Sequence, residues 1–143
     1  LKGEKIIDQA DIDIDIGIYG FIPEEIIPQA ELRLSIYKEI SSIKENKNLE
    51  QNKKDFIDRF GDVTSEITNL YELSKLKNIA RKLNILGIKY RDENFSLKLA
   101  DDSRLIPPSS KIREIKVSAK DIKSDRLTFI MSKLESFLDK NEI

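Results

Sequence analysis

Asp55 and Asp58 are the residues whose type and spacing come nearest to chemistry in this chain. They lie in the run Asp55-Phe56-Ile57-Asp58-Arg59-Phe60-Gly61, and their i,i+3 spacing places both carboxylates on one face of a helix. A carboxylate pair can do general acid–base work. Glycoside hydrolysis by such a pair needs a sugar cleft lined with aromatics, and the chain has no Trp. Two like charges one turn apart also call for a cation, and Arg59, adjacent in sequence, projects elsewhere on a helix. Either the two carboxylates are simply solvated, or they face arginines or lysines on another surface.

Other routes to chemistry close quickly. The chain has neither histidine nor cysteine, which removes the commonest general base, the commonest metal ligands and the thiol nucleophile. It has no phosphate-binding glycine loop and no nucleophile elbow. Asp11, Asp13 and Asp15 alternate along one side of a strand pattern, but a calcium loop needs a tight turn and a closing Glu that are absent. They read instead as a charged face that keeps a strand soluble or blunts a sheet edge. Lys75, Lys77, Arg81, Lys82, Lys89 and Arg91 form a stretch without an acid. That is a candidate nucleic-acid footprint, although cations near a helix C-terminus also offset the macrodipole.

The elements that position these residues follow from periodicity. Residues 11–19 alternate strictly, with Ile12, Ile14, Ile16 and Ile18 on one face, and predict a half-buried strand. A first helix is expected from Pro28 or Gln29 to Ile43, with Ile36, Ile40 and Ile43 as its stripe flanked by Leu32 and Tyr37. Asn48 is the expected N-cap of a second helix ending at Phe60, with Gln51 as the capping-box partner and Gly61 as a left-handed C-cap. Phe56, Ile57 and Phe60 fall at packing intervals and are expected in the core. Arg33 would brace that core by reaching a carboxylate or a helix C-terminus. The Tyr37 ring would be buried, with its hydroxyl in need of a partner.

A third helix is predicted over residues 64–83, capped by Asp62 or Thr64, with Ile67, Leu70, Leu73, Leu76, Ala80 and Leu83 at helical intervals. Residues 84–87 should break it. Two alternating runs around Asp92, Glu93 and Asn94 then outline a hairpin, Pro107 and Pro108 end that region, and Ile115 to Val117 belong to one more short strand. Ser124 is expected to cap a last helix with Leu127, Ile130, Met131, Leu134, Phe137 and Leu138 on one side. The grouping of helices and strands predicts an α+β fold, a helical cluster packed on a small, mostly antiparallel sheet.

With 143 residues, 36% charged and 39% hydrophobic, the chain is long enough for one domain that needs no bridge or metal. No apolar run approaches a membrane span, so a cytoplasmic setting is the default. Net charge is −1 overall, but residues 1–31 hold eight acids against two bases, leaving the rest net basic. The opening Leu1-Lys2-Gly3-Glu4 lacks an initiator Met and reads as part of something longer.

Taken in order, these residues resemble the C-terminal domain of the bacterial transcription-repair coupling factor, Mfd. The match begins at Ile22-Pro23-Glu24-Glu25-Ile26-Ile27-Pro28, continues through Arg33-Leu34-Ser35-Ile36-Tyr37-Lys38, and peaks at residues 55–61. It extends through Asn69-Leu70, Leu76, Ala80-Arg81-Lys82-Leu83 and Gly87-Ile88, while the last helix agrees in pattern more than identity. Gln29 and Thr64 stand where the family usually shows an aspartate cap and a proline, which should shift the helix starts. Residues 100–112 form a shorter stretch than in longer members, which would remove a helix.

The resemblance implies a regulatory domain without catalysis or cofactor of its own, over residues 11–143, with residues 1–10 a linker from a preceding translocase domain. The parent would be an ATP-dependent DNA translocase using ATP and Mg, acting on DNA and RNA polymerase and coupling transcription to nucleotide excision repair. The domain would contact the UvrB-like N-terminal module of the same protein and cover its UvrA-binding surface. Asp55 and Asp58 match the acidic positions of that interdomain contact. Arg33, Tyr37, Phe56, Phe60 and Gly61 match as structural motif residues. A basic accessory domain touching nucleic acid is the alternative reading.

Overall fold

Gly17 is where the chain turns from a sheet-bearing unit into a helical one. In the computed structural model, which describes residues 12–61, 63–107, 109–122 and 124–141, the chain clusters into two compact units. Of the described residues, those within 17–78 form one and those within 12–16 and 79–141 the other. The expected linker at residues 1–10, the strand start at Asp11, the cap at Asp62 and the stop at Pro108 lie outside the described residues.

The helical unit contains α1 (Ala30–Ser42), α2 (Asn46–Phe60) and most of α3 (Ser65–Lys82). Its core is Ile22, Ile27, Ile36, Ile40, Leu49, Phe56, Ile67 and Tyr71. The first helix starts at Ala30, and Gln29 makes no side-chain cap hydrogen bond, as expected where the usual short acceptor is missing. The second helix starts before Asn48: its N-cap is Glu45, and Asn48 donates its backbone N–H to the Glu45 carbonyl at 3.0 Å. Asn46 is held instead by buried Asn78, whose Nδ2 donates to the Asn46 side-chain oxygen at 3.0 Å and to the Ile43 carbonyl at 3.1 Å. That tertiary pairing fixes the register of the turn more strongly than one local cap. Gln51 donates to Asp55 Oδ1 at 3.0 Å and closes no capping box. The third helix is capped by Thr64, whose hydroxyl accepts the Ile67 N–H at 3.3 Å.

The sheet-bearing unit holds β1 (Asp13–Asp15), β2 (Ile85–Arg91), β3 (Asn94–Leu99), β4 (Glu114–Ser118) and α4 (Arg126–Asn141). The strands lie in the order β1-β2-β3-β4. The β1–β2 pair is parallel and the other two are antiparallel, so the expected α+β class with a mostly antiparallel sheet is borne out. The first strand is shorter than the alternation suggests. Only three of its residues find partners on β2, and Gly17, at φ 76°, turns the chain away. Asp13 and Asp15 are exposed on this edge strand while Ile12 and Ile16 are buried, which is the blunted edge expected of them.

Residues 84–87 are not a simple break. Asn84, at φ 54°, ends the helix, and β2 begins at the next residue, its register shifting between Ile85 and Gly87. The hairpin closes on two residues, Asp92 and Glu93, both with positive φ, which suits the strand twist, and Asn94 already belongs to β3. Among the described residues of 100–112 there is no helix. The cap of α4 is Asp125 rather than Ser124. Its carboxylate accepts the Thr128 N–H at 2.8 Å and the Thr128 hydroxyl at 3.1 Å, and a charge there also meets the positive end of the helix dipole. Phe129 stacks on Phe95 at 5.9 Å, and Leu127, Ile130 and Leu134 are buried. Arg126 covers the Tyr90 ring at 4.1 Å and donates to the Ile16 carbonyl at 2.9 Å.

Candidate functional site: an acidic helix face

The face carried by α2 is built by what points the other way. Leu49 and Phe56, seven residues apart, are buried, and Phe60 packs on Phe56 at 4.8 Å between ring centroids. Tyr71 meets Phe56 edge-on at 6.4 Å. This stripe fixes the rotation of the helix and leaves Asp55 and Asp58 exposed. Ile57, expected in the core, is 37% exposed: one residue beyond Phe56 is about 100° around the helix, which carries it off the stripe.

Among the described residues no ion pair engages either carboxylate. Asp55 accepts only the Gln51 amide, and Arg59 lies over the Phe60 ring at 4.9 Å, so the adjacent cation is drawn to an aromatic face. Asp55 also shares a small groove of about 50 Å³ with Glu39, Asn52 and Arg59. Contrary to expectation, Arg59 does not project away from Asp55, since a residue four positions on lies on the same helix face. Neither Glu39 nor the network that holds it is signalled by the spacing around Asp55. Tyr71 donates to Asn52 Oδ1 at 2.6 Å, and Asn52 Nδ2 donates to the Glu39 carboxylate at 2.6 Å. Burial pushes the Tyr71 hydroxyl well above the usual tyrosine range, with the negative charges of Glu39 and Asp55 adding to the shift. The available signal was the i,i+4 spacing of Tyr71 from Ile67, which puts a phenol on the buried stripe and obliges it to find a partner.

Gly61 ends α2 with φ 91° and ψ −151°, and its N–H donates to the Ile57 carbonyl at 2.8 Å. This is not the expected left-handed cap but a region that is essentially glycine-only. Nothing lies within 4 Å of a Cβ built there, so a side chain would meet no clash and the cost is the backbone's alone. Gly61→Ala is therefore expected to destabilise the chain by about 1–3 kcal/mol, read as an earlier urea midpoint. A midpoint unchanged from the parent would show that the turn relaxes freely.

The other expected residues fall in separate roles. Arg33 reaches neither a carboxylate nor a helix end: its Nη1 donates to the carbonyls of Ile27 at 2.8 Å and Pro28 at 3.0 Å, tying down the loop that enters α1. Those carbonyls precede the helix and have no ladder partner, so a guanidinium satisfies them well. Tyr37 finds its partner in the Ile22 N–H, which donates to the hydroxyl at 2.7 Å. Of the basic stretch, Lys75 ion-pairs with Glu50 and, at 3.0 Å, with Glu72. Lys77, Arg81 and Lys82 lie on α3, whereas Lys89 and Arg91 are exposed on β2. Among the described residues no cluster of acids suited to a metal ion occurs and no helix is long and apolar enough to cross a membrane.

The α+β architecture carries an outward acidic pair on an exposed helix face. The sequence model of the TRCF domain family matches residues 16–110, and the chain belongs to that family. It is 28% identical over 121 residues to the transcription-repair-coupling factor of Rickettsia bellii, covering 85% of this chain and 11% of that protein. Against the Rickettsia conorii protein of the same name it is 29% identical over 144 residues, covering 99% of the chain and 13% of that protein. The chain thus spans only about a tenth of the length of these curated relatives. Its fold is that of a solved structure described as the C-terminal domain of transcription-repair coupling factor, with a TM-score of 0.75, 20% identity and coverage of 90% of this chain and 92% of that one.

Proposed function

We propose that this chain is a regulatory C-terminal domain without catalysis of its own, attached to an ATP-dependent DNA translocase that couples transcription to nucleotide excision repair. In the resting parent protein it clasps the UvrB-like N-terminal module through Asp55 and Asp58 and so masks the surface that module offers to UvrA. ATP and Mg serve the motor, and RNA polymerase and DNA are met by the parent rather than by this face.

The observation that carries the reading is the exposed carboxylate pair without an ion-pair partner among the described residues, on a helix whose rotation is fixed by Phe56 and whose end is fixed by Gly61. Family membership, with the family model covering residues 16–110, supports it, and so does the resemblance of residues 55–61 to the acidic positions expected of the family. A clasp must hold at rest and yet release. A few exposed charge pairs, each worth roughly 0.2–1 kcal/mol, meet that need better than a large apolar seam, and they weaken as salt shortens the Debye length.

The test is binding of this chain to the UvrB-like module of its own parent. Asp55→Lys with Asp58→Lys places like charge against a basic surface, and affinity is expected to fall about a hundredfold or more. Both residues are exposed, so the circular dichroism and melting of the variant should match the parent. Unchanged affinity in the folded double variant would refute the electrostatic clasp.

A further inference from the structure

A second surface of the helical unit is better built for a ligand than its exposure alone suggests. The segment Tyr19-Gly20-Phe21-Ile22 is strapped down at every residue. Asn69 Nδ2 donates to the Tyr19 carbonyl at 3.2 Å, the Phe21 N–H donates to the Glu66 carbonyl at 3.1 Å, and the Ile22 N–H donates to the Tyr37 hydroxyl at 2.7 Å. Gly20 lies so close to α3 that a Cβ there would sit 2.8 Å from the Asn69 carbonyl carbon and closer still to the Leu70 backbone. Yet the two aromatics on this strap are open, Tyr19 at 72% and Phe21 at 47% exposure. An exposed aromatic pair on a tethered backbone is the kind of anchor that binds with little cost of ordering the chain.

Phe21 also forms a wall of a cleft of about 350 Å³, completed by Ile22, Pro23, Glu24, Glu25 and Glu66. Its rim is a turn closed by the Ile26 and Ile27 N–H groups donating to the Pro23 carbonyl at 3.1 and 3.2 Å, so Glu24 and Glu25 stand on fixed backbone. Glu66 is set in the first turn of α3, where the Thr64 hydroxyl, the helix backbone and Ser65 hold its carboxyl below the usual range. Three carboxylates and an aromatic ring line the cleft, and among the described residues no cation does. Asp55 and Asp58 are not part of it.

We propose that this cleft docks a basic segment of a partner protein, an arginine or lysine side chain seating between the Phe21 ring and the carboxylates of Glu24, Glu25 and Glu66, with an apolar neighbour against Tyr19. The ring face attracts a cation and the carboxylates accept its N–H donors. The three negative charges repel nucleic acid and acidic peptides. This is a surface separate from the proposed clasp, and it stands or falls independently of it.

The experiment is a titration of the nitrogen-15-labelled chain with an acetylated leucine–arginine–leucine–arginine amide, followed by amide chemical shifts, with the glutamate-for-arginine peptide as the control. Saturating shifts at Phe21, Glu24, Glu25 and Glu66 are expected with the arginine peptide alone. Glu24→Gln with Glu25→Gln should weaken binding about fivefold at low salt, and Phe21→Leu, which keeps the apolar bulk, about threefold. The Asp55→Lys, Asp58→Lys variant should still show saturating shifts at the cleft. Absence of cleft shifts at millimolar peptide, equal shifts from the glutamate peptide, or shifts confined to Asp55 and Asp58 would each overturn the proposal.

Discussion

Replacing Tyr71 by alanine should lower the unfolding free energy by about 3–5 kcal/mol, the range for removing a large aromatic from a packed interior. The side chain is fully buried, meets Phe56 edge-on and donates its hydroxyl to Asn52 Oδ1, so truncation leaves both a cavity and an orphaned acceptor. Total stabilities are commonly about 5–15 kcal/mol, which makes this loss visible as a large drop in the urea midpoint. Tyr71→Phe separates the two contributions. It keeps the ring and removes the donor, and should cost only about 1–2 kcal/mol. The same pair tests the pH dependence. Folding raises the hydroxyl's pKa above its unfolded value of about 10, so the neutral phenol contributes stability that is fully present below that value. The contribution is lost as pH rises toward the folded pKa. The parent should therefore lose stability above about pH 10 more steeply than Tyr71→Phe. Parallel alkaline profiles for the two proteins would remove Tyr71 as the cause.

Tyr71 also marks the boundary of what periodicity reveals. Of the expected stripe, Ile67, Leu76, Ala80 and Leu83 are buried and Leu70 and Leu73 half-buried, because burial of one helix face is largely a property of the helix alone. That Tyr71 must pass its hydroxyl to Asn52, and Asn52 its amide to Glu39, depends on which helices meet. Caps failed for a related reason. Asn48 and Ser124 are good caps by composition, but Asn46 is claimed by Asn78, and Asp125 offers a charged acceptor one residue later. Local preferences of about 1 kcal/mol yield to a tertiary pairing or a better neighbour.

The candidate site was legible in one respect and opaque in another. The i,i+3 spacing of the two aspartates around Phe56 was enough to place the carboxylates outward and the ring inward, whereas a partner for them came only as an expectation from the resemblance. The role of Arg33 was not legible, since the backbone carbonyls it binds at Ile27 and Pro28 leave no side-chain signal. Nor was the strap at Tyr19 and Phe21. Strict alternation continued the strand through residue 19, whereas Gly17 turns the chain and the segment docks on α3 instead. A glycine two residues before an aromatic was the only trace of it.

Gly20→Ala is the substitution expected to act most sharply on that strap, and it differs in kind from Gly61→Ala. At Gly61 the obstacle is a torsion angle with open space around it, and the strain has somewhere to go. At Gly20 a methyl group would stand 2.8 Å from the Asn69 carbonyl carbon and closer to the Leu70 backbone. The obstacle is main chain in a helix, which cannot swing aside as a side-chain tip would. Overpacking costs typically 1–3 kcal/mol where side chains can yield, so about 3 kcal/mol or more is expected here. The alternative is for the strap to lift, which surrenders the hydrogen bonds of Phe21 to Glu66 and of Asn69 to Tyr19. Hydrogen exchange distinguishes this from diffuse destabilisation: the Phe21 amide should lose protection well before the core amides of Ile67 and Tyr71. Leu34→Ala, at a side chain 53% exposed, serves as the control and should stay within about 0.5 kcal/mol of the parent. A Gly20→Ala variant as stable as that control, with the Phe21 amide still protected, would show that the close approach to α3 is not a real constraint.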